Sequence, residues 1–190
     1  AAPPPLPLIE LAIAVAPAFT AAELNATPGA DWIANGGSVN NQRYSSLNQI
    51  TSANASGLKQ AWHIHLDGSG VAAKYSAEST PLVYKGTMYT TTGNDDVFAV
   101  DAATGARIWT YHSNIEQTIN TACCGWDNRG VGLAERKVLS AQLDRTLAAP
   151  DPLPGGLVWP APVATWREGV TRTAAPLSYN RPPYPPCPGG

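Results

Sequence analysis

Two adjacent cysteines, Cys123 and Cys124, are the rarest chemical feature of the chain, whose third cysteine is Cys187. Consecutive Cα atoms lie about 3.8 Å apart, short of the usual 4.4–6.8 Å span of a disulfide, so a bond between them is strained and comparatively reducible. The residues alone leave three arrangements open: that vicinal bond, two reduced buried thiols, or one of the pair joined to Cys187. Glu78 stands at an apolar strand start, Glu78-Ser79-Thr80-Pro81-Leu82, where a carboxylate is costly to bury unless it bonds something. Taken singly, Glu78 and Arg129 read as exposed charges at strand ends. His63 and His65 alternate on one strand face and could form half a metal site, yet His112 is the only other histidine and no Cys-x-x-Cys occurs. They read better as outer-strand residues at a sheet edge.

The elements that must position these groups are short strands. Prolines crowd the two ends, six in residues 1–30 and eleven in 150–190, with only Pro81 between, so the ordered core is expected near residues 31–149. Within it Pro81–Tyr84, Thr87–Thr91 and Val97–Val100 are rich in β-branched and aromatic residues, which predicts three sequential antiparallel strands. Asp101-Ala102-Ala103-Thr104-Gly105 then forms a tight turn, with Asp101 and Thr104 bonding free backbone groups and Gly105 supplying a positive φ before Ile108 and Trp109 return to the sheet.

The tryptophans place this unit in a repeat. Trp62, Trp109 and Trp159 stand 47 and 50 residues apart, each read as a strand-end residue, and Ala175-Pro176-Leu177 resembles Thr80-Pro81-Leu82 as the start of another unit. A period near 50 predicts repeated four-stranded sheets, an all-β arrangement of propeller blades. The chain is expected to begin one blade, complete a second in degraded form and stop inside a third, too few to close a ring. The periodic tryptophans are expected to pack between neighbouring blades rather than stack on a ligand.

Composition excludes several functions. Twelve basic against 14 acidic residues leave a net charge of -2, with no broad attraction to nucleic acid or anionic lipid. Pro7, Glu10 and Pro17 interrupt the only candidate membrane span, Leu6–Ala22. Leu8–Ala22 has the apolar centre of an export signal without its basic start, and a short amphipathic helix or a disordered leader is the alternative. The expected organisation is a leader or signal remnant over 1–30, incomplete propeller repeats over 31–180, and a proline-rich tail over 181–190.

Four stretches together carry a family resemblance: Asp31-Trp32 through Asn41-Gln42-Arg43-Tyr44-Ser45 to Leu47-Asn48-Gln49-Ile50; Glu78–Leu82; the turn ending at Trp109; and Cys123-Cys124-Gly125 with Asn128-Arg129-Gly130. In that order and spacing the chain resembles the N-terminal part of quinoprotein alcohol dehydrogenases, eight-bladed β-propeller enzymes that use pyrroloquinoline quinone (PQQ). The resemblance implies the first two to three blades of such a propeller, with good coverage from about residue 20 to 149. It departs after Tyr179, where Asn180–Gly190 is too proline-rich for consecutive strand hydrogen bonds, and at Pro152 and Pro154 in the second turn.

The resemblance also implies roles. Cys123 and Cys124 would form a vicinal disulfide against one face of the quinone, Glu78 would bond the cofactor rim, Arg129 would polarise a quinone oxygen, and Thr173 would bond a PQQ carboxylate. For Thr173 an ordinary loop hydroxyl is an equal alternative. Further implications are a Ca²⁺ or lanthanide ion, an aspartate base, a small primary alcohol as substrate and a cytochrome c as electron acceptor, in the periplasm or outside the cell. The metal ligands and the base are expected beyond Gly190, so the chain alone is expected neither to hold PQQ tightly nor to oxidise alcohols, and its open blade edges to favour association. The rival reading is a non-catalytic propeller-repeat fragment, or a binding or assembly protein. Such a protein has no need for Cys123-Cys124 beside Arg129.

Overall fold

The computed structural model describes residues 18–68, 75–76, 78–122, 125–135, 137–150, 167, 169 and 171–178, and the backbone alone of 157–162. Eight strands form two four-stranded antiparallel sheets, each a simple meander. The first contains β1 (Leu82–Tyr84), β2 (Thr87–Thr91), β3 (Val97–Asp101) and β4 (Arg107–Tyr111). The second contains β5 (Gly132–Ala134), β6 (Lys137–Ala141), β7 (Thr146–Pro150) and β8 (Leu157–Pro162).

Counterparts begin 49 or 50 residues apart: Leu82 and Gly132, Thr87 and Lys137, Val97 and Thr146, Arg107 and Leu157. Even the irregularities repeat, since the ladder slips between Ala99 and Val100 in one sheet and between Ala149 and Pro150 in the other. The second unit is therefore a complete four-stranded sheet. It escaped a residue-by-residue reading because Lys137–Ala141 and Thr146–Pro150 carry small residues and a proline where the first sheet has aromatics.

Local chemistry accounts for the first sheet. The β2 side chains alternate between buried and half-buried, as Thr87-Met88-Tyr89-Thr90-Thr91 would on a sheet with one better-covered face. In β3 the run Val97-Phe98-Ala99-Val100 is buried throughout, because this inner strand is covered on both faces. Lys85 and Gly86, both at positive φ, make the two-residue turn whose twist matches the β1–β2 hairpin.

The apolar cluster holding Leu82, Tyr89, Val97 and Trp109 continues into Val131, Leu133, Val138 and Ala148, so one core spans both sheets. It also includes Phe19 and Leu24, the latter on a short helix α1 (Ala21–Asn25) opened by a reciprocal Thr20–Glu23 capping box. Packing thus reaches back ahead of the Asp31 boundary drawn from the proline distribution. No helix among the described residues is long and apolar enough to cross a membrane.

The turn after β3 forms as its residues dictate. Asp101 Oδ1 accepts from the amides of Ala103 (3.0 Å) and Thr104 (2.8 Å) and from the Thr104 hydroxyl (2.8 Å). These contacts, the Thr104 hydroxyl foremost, hold the Asp101 carboxyl below the ordinary carboxylate range. Against this turn lies Trp62, whose Nε1 donates to the Ala102 carbonyl at 3.1 Å. A Cβ on Gly105 would come within 2.6 Å of its ring.

The strand read from the sequence through Trp62, His63 and His65 does not form: Leu58–Leu66 is an extended run without ladder partners among the described residues. His63 and His65 on it are exposed, and no group of three metal-ligating side chains occurs among the described residues. The run is held through Trp62 and by Arg107, which donates to Asp67 (3.1 Å) and to the His65 carbonyl (2.9 Å). Its exposure alternates all the same, and Trp62 owes its cover to the turn and not to strand pairing.

Gly105→Ala should therefore lower stability by about 2 kcal/mol, through both the clash with Trp62 and the positive φ. Gly86→Ala, at positive φ with open space around it, should cost less. Urea denaturation of the two variants checks the order, and equal losses would show that Trp62 does not dock here.

Candidate functional site

Each sheet is entered by an irregular lead-in, and successive lead-ins are bonded to one another. The Thr80 amide donates to the Arg129 carbonyl (3.1 Å), and the Arg129 amide donates to the Thr173 carbonyl (2.8 Å). Glu78, Arg129 and Thr173 thus sit on three neighbouring segments ahead of β1, ahead of β5 and within 171–178. Gly132 admits the last of these closely, since a Cβ there would lie 2.4 Å from the Pro176 carbonyl oxygen.

The side chains meet in a pocket of about 280 Å³ lined by Glu78, Thr121, Ala122, Gly125, Asp127, Arg129, Thr171 and Thr173. One guanidinium nitrogen of Arg129, Nη2, lies 3.0 Å from Glu78 Oε2 and 3.1 Å from Asp127 Oδ2. Its other terminal nitrogen, Nη1, donates to the Thr173 hydroxyl. Glu78 and Arg129, which singly read as exposed charges at strand ends, are joined directly in an ion pair. Cys123 and Cys124 lie outside the described residues.

Asp127 was not singled out from the sequence. Its side chain is largely buried, and burial pushes its carboxyl above the ordinary range, aided by the neighbouring Glu78 carboxyl and opposed by the charge of Arg129. The available signal was its two-residue spacing from Arg129, which in an extended segment puts both on one side and Asn128 on the other.

Asn128 faces inward and is 1% exposed. Its Nδ2 donates to Asp95 Oδ1 (2.8 Å) and to the Ala141 carbonyl (3.1 Å), while its Oδ1 accepts from the Gly130 amide (3.0 Å) and the Thr91 hydroxyl (3.2 Å). Asp95, fully buried in the β2–β3 connection, accepts through Oδ2 from the Leu143 amide at 2.6 Å. Burial pushes the Asp95 carboxyl up to about 8, against the opposing pull of the Leu143 and Asn128 hydrogen bonds. The clasp fastens Trp126–Gly130 to both sheets and so aims Asp127 and Arg129 at the pocket.

In the second sheet the equivalent turn position holds Arg145, at φ 74° where Asp95 has φ 63°. Arg145 is buried, and so is Arg172 beside Thr173, whose guanidinium is lowered from its ordinary value by burial and by the charge of Arg145. Neither arginine stood out from the sequence.

Successive four-stranded antiparallel sheets at a 50-residue period define blades of a β-propeller, and a pocket crossed by the Glu78–Arg129–Asp127 ion pairs lies among their lead-ins. The family model of the glucose/ethanol/alcohol dehydrogenase β-propeller domain, PQQ, matches residues 32–158. The chain belongs to this PQQ β-propeller family. It is 38% identical, over 143 residues, to the dehydrogenase subunit of the quinone alcohol dehydrogenase of Gluconobacter oxydans (strain 621H), covering 75% of this chain and 18% of that protein. Among solved structures it resembles the quinohemoprotein alcohol dehydrogenase of Comamonas testosteroni, with a TM-score of 0.75, 31% identity, and coverage of 90% of this chain and 25% of the other. It also resembles a europium-containing methanol dehydrogenase, with a TM-score of 0.72, 33% identity, and coverage of 83% and 27%. The chain thus spans about a fifth to a quarter of the relatives it matches.

The clasp makes stability depend on pH in a defined direction. An unfolded aspartate titrates near about 3.9. Between there and about 8 the folded chain keeps on Asp95 a proton that the unfolded chain has lost, so this contribution weakens as pH rises. The stability of the wild type relative to Asp95→Asn should therefore decline from pH 4 to 8, as read by urea denaturation. A constant difference would show that Asp95 is ionised throughout.

Proposed function

We propose that this pocket is one side of the PQQ site of a quinoprotein alcohol dehydrogenase that oxidises small primary alcohols to aldehydes. The observation that carries the reading is the convergence of Glu78, Arg129 and Thr173, from three lead-ins, on one pocket. PQQ is a planar quinone bearing three carboxylates, and the donors here suit it. The Arg129 guanidinium and the hydroxyls of Thr121, Thr171 and Thr173 would hold carboxylate and quinone oxygens, and Glu78 would accept a hydrogen bond at the rim. Bound there, PQQ would supply the two-electron acceptor for the alcohol's hydride and release those electrons singly to a cytochrome c.

Arg129, held at the pocket by Glu78 and Asp127 before any ligand arrives, would set its positive charge against the negative charge that grows on an acceptor oxygen. The Asn128–Asp95 clasp orients it. In this reading Cys123 and Cys124 cover one face of the ring as a vicinal disulfide, and the protein works in the periplasm or outside the cell, where such a bond persists. A Ca²⁺ or lanthanide ion belongs to the same proposal. Its ligands, and an aspartate base toward the alcohol, would come from parts of the propeller other than these residues.

Because these residues form only one side of such a site, the purified chain supplied with PQQ and Ca²⁺ should bind the quinone weakly, with a Kd above about 10 μM, and show no dye-linked ethanol oxidation. Arg129→Ala should weaken that binding at least about tenfold, read from the quinone absorbance. Equal binding by the two proteins, or none by either at millimolar PQQ, would overturn the reading.

A further inference from the structure

One cation in the pocket serves two acids. Glu78 Oε2 and Asp127 Oδ2 lie at 3.0 and 3.1 Å from the same Arg129 nitrogen, so that one guanidinium holds the two carboxyls side by side. Two carboxyl groups can hydrogen-bond each other only when one of them carries a proton. The group therefore has two charge states. With Arg129 between them both acids can be ionised; with the guanidinium drawn away, like-charge repulsion favours one proton held in common. An anionic ligand in the pocket competes for that guanidinium.

We propose that Asp127 and Glu78 form an acid pair keyed to Arg129, which takes up one proton from solvent when the guanidinium turns onto a ligand's carboxylate. Resting on the reading of the pocket as a site for an anionic quinone, it makes Asp127 a positioning residue that acts through Arg129. No covalent bond changes. One proton enters from water, and the pair passes from two negative charges to one as a negatively charged ligand arrives.

The asymmetry of the pair says where the proton resides. Asp127 has a side chain only 10% exposed, against 49% for Glu78, so the proton is better kept on Asp127. The raised position of the Asp127 carboxyl agrees. Among the described residues the charges acting on Asp127 are those of Glu78 and Arg129, and the other lining side chains, Thr121, Ala122, Thr171 and Thr173, are uncharged. Ligand capture is then favoured by lower pH, and the carboxylates that would repel the ligand are halved in charge as it binds.

A ligand-free experiment tests the pair directly: carboxyl ¹³C resonances of the chain are titrated by NMR in wild type, in Arg129→Gln and in Arg129→Gln with Asp127→Asn. In Arg129→Gln one carboxyl of the pair should titrate about 2 pH units or more above an ordinary carboxylate, and the added Asp127→Asn should abolish this. Ordinary titration of both acids in Arg129→Gln would overturn the proposal. The second arm needs only wild type and Asp127→Asn: PQQ binding is measured calorimetrically at pH 7 in buffers of different ionisation enthalpy. Uptake of about one proton per PQQ in wild type and none in Asp127→Asn supports the linkage, and it decides the matter if Arg129→Gln does not fold. PQQ binding without proton uptake overturns the linkage but leaves the quinone site standing. Absence of PQQ binding overturns the quinone reading instead, and the ligand-free titration still decides whether the acids share a proton.

Discussion

Asn128 is the fixed point of the molecule. Its amide uses both ends, two donors and two acceptor sites, on groups contributed by the β2 end, the following turn, β6 and its own loop. A buried amide pays a high desolvation cost, which only this full set of partners offsets. Because the set is drawn from both sheets, the second sheet cannot shift against the first without leaving a buried polar group unmatched. The pocket inherits that rigidity, since Asp127 and Arg129 are the immediate neighbours of Asn128 on either side.

The repeat explains how one scaffold presents different chemistry at equivalent places. The β2–β3 turn and its β6–β7 counterpart close with the same backbone bonds, Thr92 to Asp96 and Gln142 to Thr146. Yet one carries the acceptor Asp95 and the other the donor Arg145. Backbone geometry sets the turn, and the side chain aimed from it toward the next unit is free to change sign. The lead-ins are likewise tied to one another through the main chain, while the side chains they bring to the pocket are Glu78, Arg129 and Thr173. A ligand held by such a ring meets a different group from each unit.

Much of this was legible before any coordinates. The Asp101–Gly105 turn could be read because every contact that makes it lies within five residues, and the strands from Leu82 to Asp101 because β-branched and aromatic residues mark them directly. The 50-residue spacing of the tryptophans announced the repeat. Glu78, Arg129 and Thr173 became candidates only through the family resemblance, and the structure brings all three to one pocket. Other features were not legible. The run Leu58–Leu66 alternates as a strand does, but alternation records which side is covered and not what covers it; for Trp62 the cover is a turn. The strands of the second sheet were hidden by small residues, which burial between neighbours selects as readily as a loop does.

Sequence by itself determined the local conformations, the period and the identity of the charged groups, because these follow from propensity, turn chemistry and spacing along the chain. Tertiary structure alone decided which charges meet. Asp127 is an unremarkable residue until Glu78, brought from the preceding lead-in, shares Arg129 with it, and Asp95 is an ordinary turn aspartate until Asn128 and Leu143 close over it. The physical reason is that the energy of a carboxylate depends on its solvation and on the charges within a few ångströms. Both are set by segments dozens of residues away, whose approach no local pattern records.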